Sequence, residues 1–396
     1  MISNKMKVLV ANSSTIRAMF EEGKRLANLY GAENVYDFSL GNPNVVPPDA
    51  VKEAIVDIVN EENPNVLHGY MNNSGYEDVR DTVATYLNNK YALNLGTANI
   101  VMTCGAAGGL NIILKTLLNP DDEIIVFAPF FGEYSNYVNN FDGKLVIVPP
   151  DTTTFEPNME ALKAALTSRT KAVIINSPNN PTGVIYSDSA LKQLAAILEE
   201  AQKTFNTSIY LISDEPYREI AYDHATVPYP VHYYKNTFIG YSYSKSLSLP
   251  GERIGYIVVP SEVDDFNDIM GALNVANRIL GFVNAPSLFQ KVIGKCIESE
   301  VDVSIYARNR DLLYNHLTSI GFDCIKPKGA FYLFPKALTA DDRAFCEVAK
   351  QFNLLLVPGS SFGCPGYVRL AYCISYEQIE RSLPAFSKLA THYNSN

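Results

Sequence analysis

Two short apolar runs, at residues 237–241 and 255–259, flank the stretch Ser242-Tyr-Ser-Lys245-Ser-Leu-Ser-Leu-Pro-Gly-Glu-Arg253-Ile-Gly-Tyr256. Each run has the length and composition of a buried β-strand. A lysine flanked by serines at the end of such a strand is poorly placed as a solvated surface charge. A second cation, Arg253, follows eight residues later, beyond a Pro-Gly turn. The alternative interpretation is a surface turn that carries one ordinary lysine.

This combination of side chains suits an aldehyde cofactor that carries a phosphate group. The amine of Lys245 can form a Schiff base with the aldehyde. Ser242, Ser244 and Arg253 are then available to hold the phosphate. The segment therefore predicts an enzyme that holds its cofactor covalently, at the end of a strand.

Composition excludes several classes of protein. A chain of 396 residues is too long for one small core, so we expect two domains. The net charge of −10 argues against a nucleic-acid-binding surface. No apolar run reaches the length of about 20 residues that a membrane helix needs. The six cysteines form no CxxC pair and, with the five histidines, no zinc-ligand spacing. We expect a cytoplasmic protein without metal and without a membrane or nucleic-acid partner.

The order of apolar runs predicts an α/β fold. Residues 99–104, 123–128, 144–148, 171–175 and 208–213 are predicted strands, with helices between several of them. Such alternation indicates a mostly parallel sheet that is buried on both faces. At the N-terminus, Ser13 or Ser14 can cap a helix that Gly31 could end. The C-terminal part has an α+β pattern. We therefore predict a large domain at residues 46–285 and a smaller one built by residues 1–45 and 286–396.

Three further motifs follow predicted strands of this sheet. Asn180 lies in Ser-Pro-Asn-Asn-Pro-Thr-Gly after the strand at 171–175, and Asp-Glu-Pro-Tyr, from Asp214 to Tyr217, ends the strand at 208–213. A buried carboxylate at that point needs a cation, and a protonated ring nitrogen would supply one. The small residues Gly105, Ala106 and Ala107 open a helix, where backbone N–H groups favour a phosphate. Ligands collect at such strand ends in open α/β sheets.

Together these motifs resemble those of class I and II aminotransferases, which are pyridoxal-phosphate enzymes of fold type I. The resemblance covers residues 37–370, and the motifs occur in the family's order. It implies that Asp214 binds the cofactor's ring nitrogen, and that Asn180 and Tyr217 bind its phenolic oxygen. Phe131 matches the aromatic residue that stacks on the ring. The turn at residues 105–107 lacks the hydroxyl of many relatives, so backbone contacts must hold more of the phosphate.

Two further matches concern the substrate and a second subunit. Arg369, in Tyr-Val-Arg-Leu after Pro-Gly-Ser-Ser-Phe-Gly, resembles the arginine that binds the substrate's α-carboxylate. Gly41, in Leu-Gly-Asn-Pro, matches a residue that lines the same pocket. Tyr70 resembles a tyrosine that reaches the cofactor phosphate of the neighbouring subunit. The resemblance thus implies a homodimer with shared active sites.

The predicted activity is amino-group transfer between an L-amino acid and a 2-oxo acid by a ping-pong mechanism. A β-C–S lyase is the closest alternative, because it uses the same cofactor residues. A non-catalytic sensor is a second alternative, but the chain starts at the domain itself and leaves no room for a helix-turn-helix module. A structural protein with an inactive fold is a third. Aspartate is a plausible donor by family, yet Ala107 stands where one subgroup has lysine. No residue clearly matches the side-chain arginine of the other subgroup, for which Arg278 is a candidate.

Overall fold

The computed structural model describes residues 2–11 and 15–394. The helices are α1 (Asn4–Ala11), α2 (Thr15–Tyr30), α3 (Asp49–Glu61), α4 (Pro64–Leu67), α5 (Glu77–Tyr91), α6 (Gly105–Leu117), α7 (Glu133–Asn140), α8 (Met159–Ala165), α9 (Asp188–Phe205), α10 (Tyr243–Ser246), α11 (Phe266–Ile279), α12 (Ser287–Cys296), α13 (Ser304–Ser319), α14 (Asp342–Lys350) and α15 (Tyr376–Asn394). The strands are β1 (Tyr36–Asp37), β2 (Ile100–Thr103), β3 (Glu123–Phe127), β4 (Lys144–Val148), β5 (Thr170–Asn176), β6 (Tyr210–Asp214), β7 (Thr237–Ser242), β8 (Gly255–Val258), β9 (Tyr332–Leu333), β10 (Leu354–Leu355), β11 (Val357–Pro358) and β12 (Val368–Ala371).

The central sheet has seven strands in the order β2-β8-β7-β6-β5-β3-β4. Strands β4, β3, β5, β6 and β7 pair in parallel, whereas β8 is antiparallel to both of its neighbours. The predicted α/β fold with a mostly parallel sheet is confirmed. Each predicted strand boundary lies within two residues of the observed one.

Burial explains why these runs form strands. All residues of β2, β3, β6, β7 and β8 are buried, as expected for a sheet covered by helices on both faces. The edge strand β4 differs, because Lys144 and Ile147 are exposed. The expectation of a sheet buried on both faces therefore fails at this edge.

Helix ends follow the predicted signals where the structure describes them. The Ser187 side chain accepts a hydrogen bond from the backbone N–H of Ala190 and caps α9, whose apolar face is buried. Gly31 follows the end of α2 with φ +86°, a conformation that favours glycine. Ser13 and Ser14, the predicted caps of that helix, lie outside the described residues.

Both ends of the chain contribute to smaller sheets beside the central one. Strand β1 pairs in parallel with β10, and β12 pairs with β11 and β9 in antiparallel fashion. Phe38 packs in one buried cluster with Leu313, Leu370 and Phe386. In the part of the chain described here, no helix combines the length and apolar character needed to cross a bilayer.

Candidate active site

The carboxyl ends of β5, β6 and β7 meet at one edge of the sheet and open into a cleft of about 310 Å³. These strands end at Asn176, Asp214 and Ser242. Their parallel pairing brings these ends together, as it does in other open α/β sheets. The predicted site residues that line the cleft are Gly41, Ala106, Ala107, Phe131, Asn180, Asp214, Tyr217, Ser242, Ser244, Lys245, Arg253 and Arg369.

Lys245 lies on the short helix α10, directly after β7. Its Nζ donates a hydrogen bond to the carbonyl oxygen of Gly41 at 2.6 Å. Burial, with smaller contributions from the charges of Arg253 and Arg369, lowers the pKa of the Lys245 amine to about 8, although nearby Cys373 opposes this shift. The neutral amine, which a nucleophile or a general base requires, is therefore far more populated near neutral pH than that of an ordinary lysine.

Asp214 ends β6 and is buried, with 5% of its surface exposed. Its Oδ2 accepts a hydrogen bond of 2.6 Å from the Tyr134 hydroxyl, and its Oδ1 has no partner among the described residues. Burial raises the pKa of Asp214, the Tyr134 hydrogen bond opposes this rise and nearby Glu215 adds to it, so that the net pKa is about 7. The carboxyl group therefore has one oxygen free for a donor that enters the cleft.

A chain of polar contacts links Asn180, Tyr217 and Arg369. The Asn180 Nδ2 lies 3.5 Å from the Tyr217 hydroxyl, and the Asn180 Oδ1 accepts a bond of 3.1 Å from Arg369 Nη1. The Tyr217 and Tyr332 hydroxyls lie 2.8 Å apart. Burial raises the pKa of Tyr217 well above its ordinary range, which keeps its hydroxyl protonated as a donor.

Arg369 is a buried cation that has no carboxylate within ion-pair distance in residues 2–11 and 15–394. Only 2% of its surface is exposed. One guanidinium nitrogen donates to the Ser39 carbonyl oxygen at 2.5 Å, and Nε has no partner among the described residues. The rings of Tyr332 and Phe362 lie against it, 4.7 and 4.9 Å from its central carbon. An enclosed, unpaired guanidinium is suited to bind a carboxylate.

The turn at the start of α6 forms a narrow cradle with Arg253. Gly105 has φ +71°, and a methyl group at its Cα would lie 2.8 Å from an Arg253 nitrogen. Arg253 is exposed and donates to the Pro250 carbonyl oxygen. The hydroxyls of Ser242 and Ser244 lie 2.7 Å apart. Hydroxyls, a guanidinium and a helix N-terminus are the usual donors to a phosphate.

Phe131 lines the cleft beside this cradle, and its ring packs edge-to-face on Tyr134, with centroids 5.6 Å apart. Three other predicted residues are absent from the lining of this chain's cleft: Gly105, which belongs to the adjoining cradle, and Tyr70 and Arg278. Tyr70 is 94% exposed and is absent from the lining. Arg278 is exposed on α11, also outside the lining, so this chain's own cleft takes no cation from it.

Several residues of the site escaped sequence reasoning. Ser39, Asn176, Tyr137 and Tyr332 line the cleft, and Tyr134 lies behind Asp214. Asn176 donates to the Asp214 carbonyl oxygen at 2.8 Å, and its Oδ1 accepts from the Asn180 backbone N–H at 2.7 Å. Its position as the last residue of β5 is the one local signal that could have identified it.

Comparisons with known proteins agree with this geometry. The family model described as aminotransferase class I and II matches residues 32–386. A probable aspartate/prephenate aminotransferase of Aquifex aeolicus is 31% identical, over 90% of this chain and 91% of its own length. A probable N-acetyl-LL-diaminopimelate aminotransferase of Bacillus subtilis is 30% identical, over 91% and 90%.

Solved structures give the same result. An aminotransferase of Eubacterium rectale superimposes with a TM-score of 0.97 and 47% identity, over 100% of both chains. Aspartate aminotransferase of Thermus thermophilus, solved with maleate, has a TM-score of 0.87 and 25% identity, over 98% of this chain and 99% of the other. The chain belongs to the class I and II aminotransferase family. It is an enzyme that uses pyridoxal phosphate to transfer amino groups between amino acids and 2-oxo acids.

The residues of the cleft fit this cofactor. The unpartnered Asp214 Oδ1 can accept a hydrogen bond from a ring nitrogen. Gly105 leaves the cradle clear beside the Arg253 guanidinium, which a Cβ at this position would contact at 2.8 Å. No group of three or more potential metal-binding side chains occurs within residues 2–11 and 15–394.

Proposed function

We propose that Lys245 is both the attachment point of pyridoxal phosphate and the base that moves the substrate's α-proton. The observation that carries this proposal is a partly buried amine, with a pKa lowered to about 8, in the same cleft as Asp214 and Arg369. When bound, the cofactor supplies an electron-withdrawing ring that stabilises negative charge at the substrate's α-carbon. The protein's own side chains bind and orient the cofactor and the substrate, and transfer the substrate's α-proton.

In this proposal, four sets of residues would hold the cofactor. Asp214 Oδ1 would accept a hydrogen bond from the ring nitrogen, and Asn180 and Tyr217 would donate to the phenolic oxygen. Phe131 would pack on the ring. The phosphate group is held by the cradle residues Gly105, Ala106, Ala107, Ser242, Ser244 and Arg253. These roles agree with the donors and acceptors that line the cleft.

The substrate's α-carboxylate binds Arg369, and Gly41 keeps the space above Lys245 open. A methyl group on Gly41 would lie 2.1 Å from the Tyr332 hydroxyl oxygen, so a larger residue cannot be accommodated without a shift. With the carboxylate fixed, the Lys245 amine would take the substrate's α-proton and hold it for the return transfer.

Borohydride treatment tests the attachment. Reduction of the holoenzyme followed by peptide mass spectrometry should place the cofactor's mass on Lys245, while the conservative variant Lys245→Arg should carry none. A reduced adduct on another lysine would contradict the proposal.

A single-turnover experiment tests the reaction type. An amino acid supplied without any 2-oxo acid should convert the cofactor to its amine form and stop after one turnover. Continuous release of pyruvate and ammonia from cysteine-type substrates, without the amine form, would instead identify a β-C–S lyase.

We also propose a homodimer in which each site borrows Tyr70 from the partner. Tyr70 does not line its own cleft and is almost fully exposed, which supports a role across an interface. Mixing Tyr70→Phe subunits with Lys245→Ala subunits should restore activity, because one site of each mixed dimer has both residues. Recovery should approach about half of the normal dimer's activity. No recovery above the Tyr70→Phe homodimer, despite proven subunit exchange, would contradict the shared site.

The domain division at residues 46–285, with residues 1–45 and 286–396 forming the smaller domain, remains a proposal. The packing of Phe38 with C-terminal residues supports it. A cytoplasmic location is likewise proposed, and the six free cysteines support it, since reducing compartments keep thiols free. Cell fractionation tests the location.

A further inference from the structure

Tyr134 is a fully buried residue of α7 that contacts two parts of the site at once. Its side chain is 1% exposed, and its hydroxyl donates to Asp214 Oδ2 at 2.6 Å. The same ring packs edge-to-face on Phe131, with an interplanar angle of 86°. A tyrosine hydroxyl has one proton to donate, and here Asp214 receives it.

The two oxygens of Asp214 are therefore not equivalent. Oδ2 is occupied by Tyr134, whereas Oδ1 is buried and has no partner among the described residues. Because Asp214 lines the cleft, its unpartnered oxygen is the one left for a ligand. A carboxylate that could rotate would offer either oxygen, and the Tyr134 bond removes that freedom.

We propose that Tyr134 is a positioning residue, which fixes the Asp214 carboxylate so that Oδ1 faces the cofactor's ring nitrogen, and which supports Phe131 on the ring's face. The proposal rests on the role proposed above for Asp214. Tyr134 touches neither substrate nor cofactor, so its effect passes entirely through Asp214 and Phe131.

The electrostatics of the group agree with this assignment. Burial raises the pKa of Asp214, Glu215 raises it further, and the Tyr134 hydrogen bond opposes both. The ionisable groups that face Asp214 are Tyr134 and Tyr137 from α7, and Glu215 and Tyr217 from its own segment. Without the Tyr134 hydroxyl, the carboxylate becomes more basic, and a proton shared with the ring nitrogen moves towards Asp214.

The test compares wild-type and Tyr134→Phe holoenzymes. The substitution keeps the ring against Phe131 and removes only the hydroxyl. We expect kcat to fall by about 10- to 100-fold, the usual effect of one hydrogen bond to a charged group. The KM for the amino acid should stay within about threefold, because Arg369 is untouched. The pH dependence of the bound cofactor's absorbance should shift, and the cofactor should dissociate more readily.

Tyr234→Phe is the matched control. Tyr234 is equally buried and donates to the Ile209 carbonyl oxygen at 2.6 Å, at the opposite end of β6. Both variants lose one buried tyrosine hydrogen bond, so their unfolding midpoints should fall together. Only Tyr134→Phe should change kcat and the cofactor spectrum. Equal spectra and equal kcat in the two variants would overturn the proposal.

A double-mutant cycle separates this proposal from the role of Asp214. If Tyr134 acts through Asp214, adding Tyr134→Phe to Asp214→Ala should change kcat by less than about twofold. Independent losses in the double variant would overturn the proposal. Full activity of Asp214→Ala would overturn the proposed role of Asp214 itself. An inactive Asp214→Ala together with a normal Tyr134→Phe would overturn the Tyr134 proposal alone.

Discussion

Replacing Asp214 with asparagine should stabilise the cofactor-free protein at neutral pH while it removes most of the activity. The substitution keeps the shape of the side chain and the bond from Tyr134, whose hydroxyl can donate to the amide oxygen. It removes a negative charge that is buried and that has no ion-pair partner among the described residues. A buried, unpaired charge destabilises a fold, and the isosteric amide avoids that cost.

The raised pKa gives the size and the sign of this effect. The pKa of Asp214 rises from an ordinary 3.8 to about 7 in the folded protein. A rise of this size corresponds to about 4 kcal/mol of lost stability when the carboxyl group is ionised. The amide leaves its own N–H group unpaired, so we expect a net gain of about 2–4 kcal/mol. Because the folded-state pKa is raised, the cost is fully present above about pH 7 and disappears as the pH falls towards 4.

Urea unfolding of the cofactor-free proteins, at equal subunit concentration, measures the gain. The advantage of Asp214→Asn should fall by more than half between pH 8 and pH 5. Saturating pyridoxal phosphate should stabilise the wild type more than the variant, since only the carboxylate pairs with a protonated nitrogen. Turnover should fall by at least about 100-fold. A variant no more stable than wild type at pH 8, or a gain independent of pH, would refute the reasoning.

Three further predictions concern other parts of the cleft. Arg369→Lys should lower kcat/KM for amino acids by about 100-fold, because one ammonium cannot replace a forked guanidinium; activity towards amines without the α-carboxylate should change little. Gly105→Ala should weaken cofactor binding by at least about tenfold, since φ +71° is strained for alanine and the new methyl group would displace the Arg253 guanidinium; titration of the cofactor-free protein measures this. Acylation of Lys245 in the cofactor-free protein should be half-maximal near pH 8, because only the neutral amine reacts; quantitative mass spectrometry reads it.

The sequence was most informative about site residues that lie at, or just after, the end of a predicted strand. Asp214 ends a buried strand, and Lys245 and Asn180 come shortly after one, so predicting a parallel sheet was enough to bring the three together. Local signals of this kind are short-range: an apolar run, then a polar residue that is costly to bury. Arg369 was found through its motif, and its burial was not predictable from the residues around it.

The missed residues depend on contacts between distant parts of the chain. Tyr134 meets Asp214 across 80 positions, and Tyr217 meets Tyr332 across 115. In a chain with 25 tyrosines, a single tyrosine carries no local sign that its hydroxyl will reach a buried carboxylate. Tyr70 illustrates a different limit, because its proposed partner belongs to another subunit, which the geometry of one chain does not contain.

Four charged side chains of the cleft, Lys245, Arg253, Arg369 and Asp214, lack an ionic partner within the described residues. Arg253 is exposed, whereas the other three are at least partly buried and together explain how the site is specified. Lys245 donates to a carbonyl oxygen, Arg369 to a carbonyl and an amide oxygen, and Asp214 accepts from a hydroxyl. Each neutral contact orients its charge without neutralising it. Burial of the Lys245 and Asp214 charges without an ion-pair partner opposes folding, as the shifted pKa values of both groups indicate. The ligands bring a matching group for each side chain: an aldehyde that reacts with Lys245, a carboxylate that pairs with Arg369 and a protonated nitrogen that pairs with Asp214. When these ligands bind, their contacts with the buried charges stabilise the folded protein. Asp214→Asn should therefore be more stable than wild type without the cofactor, and less stable than wild type once the cofactor is added.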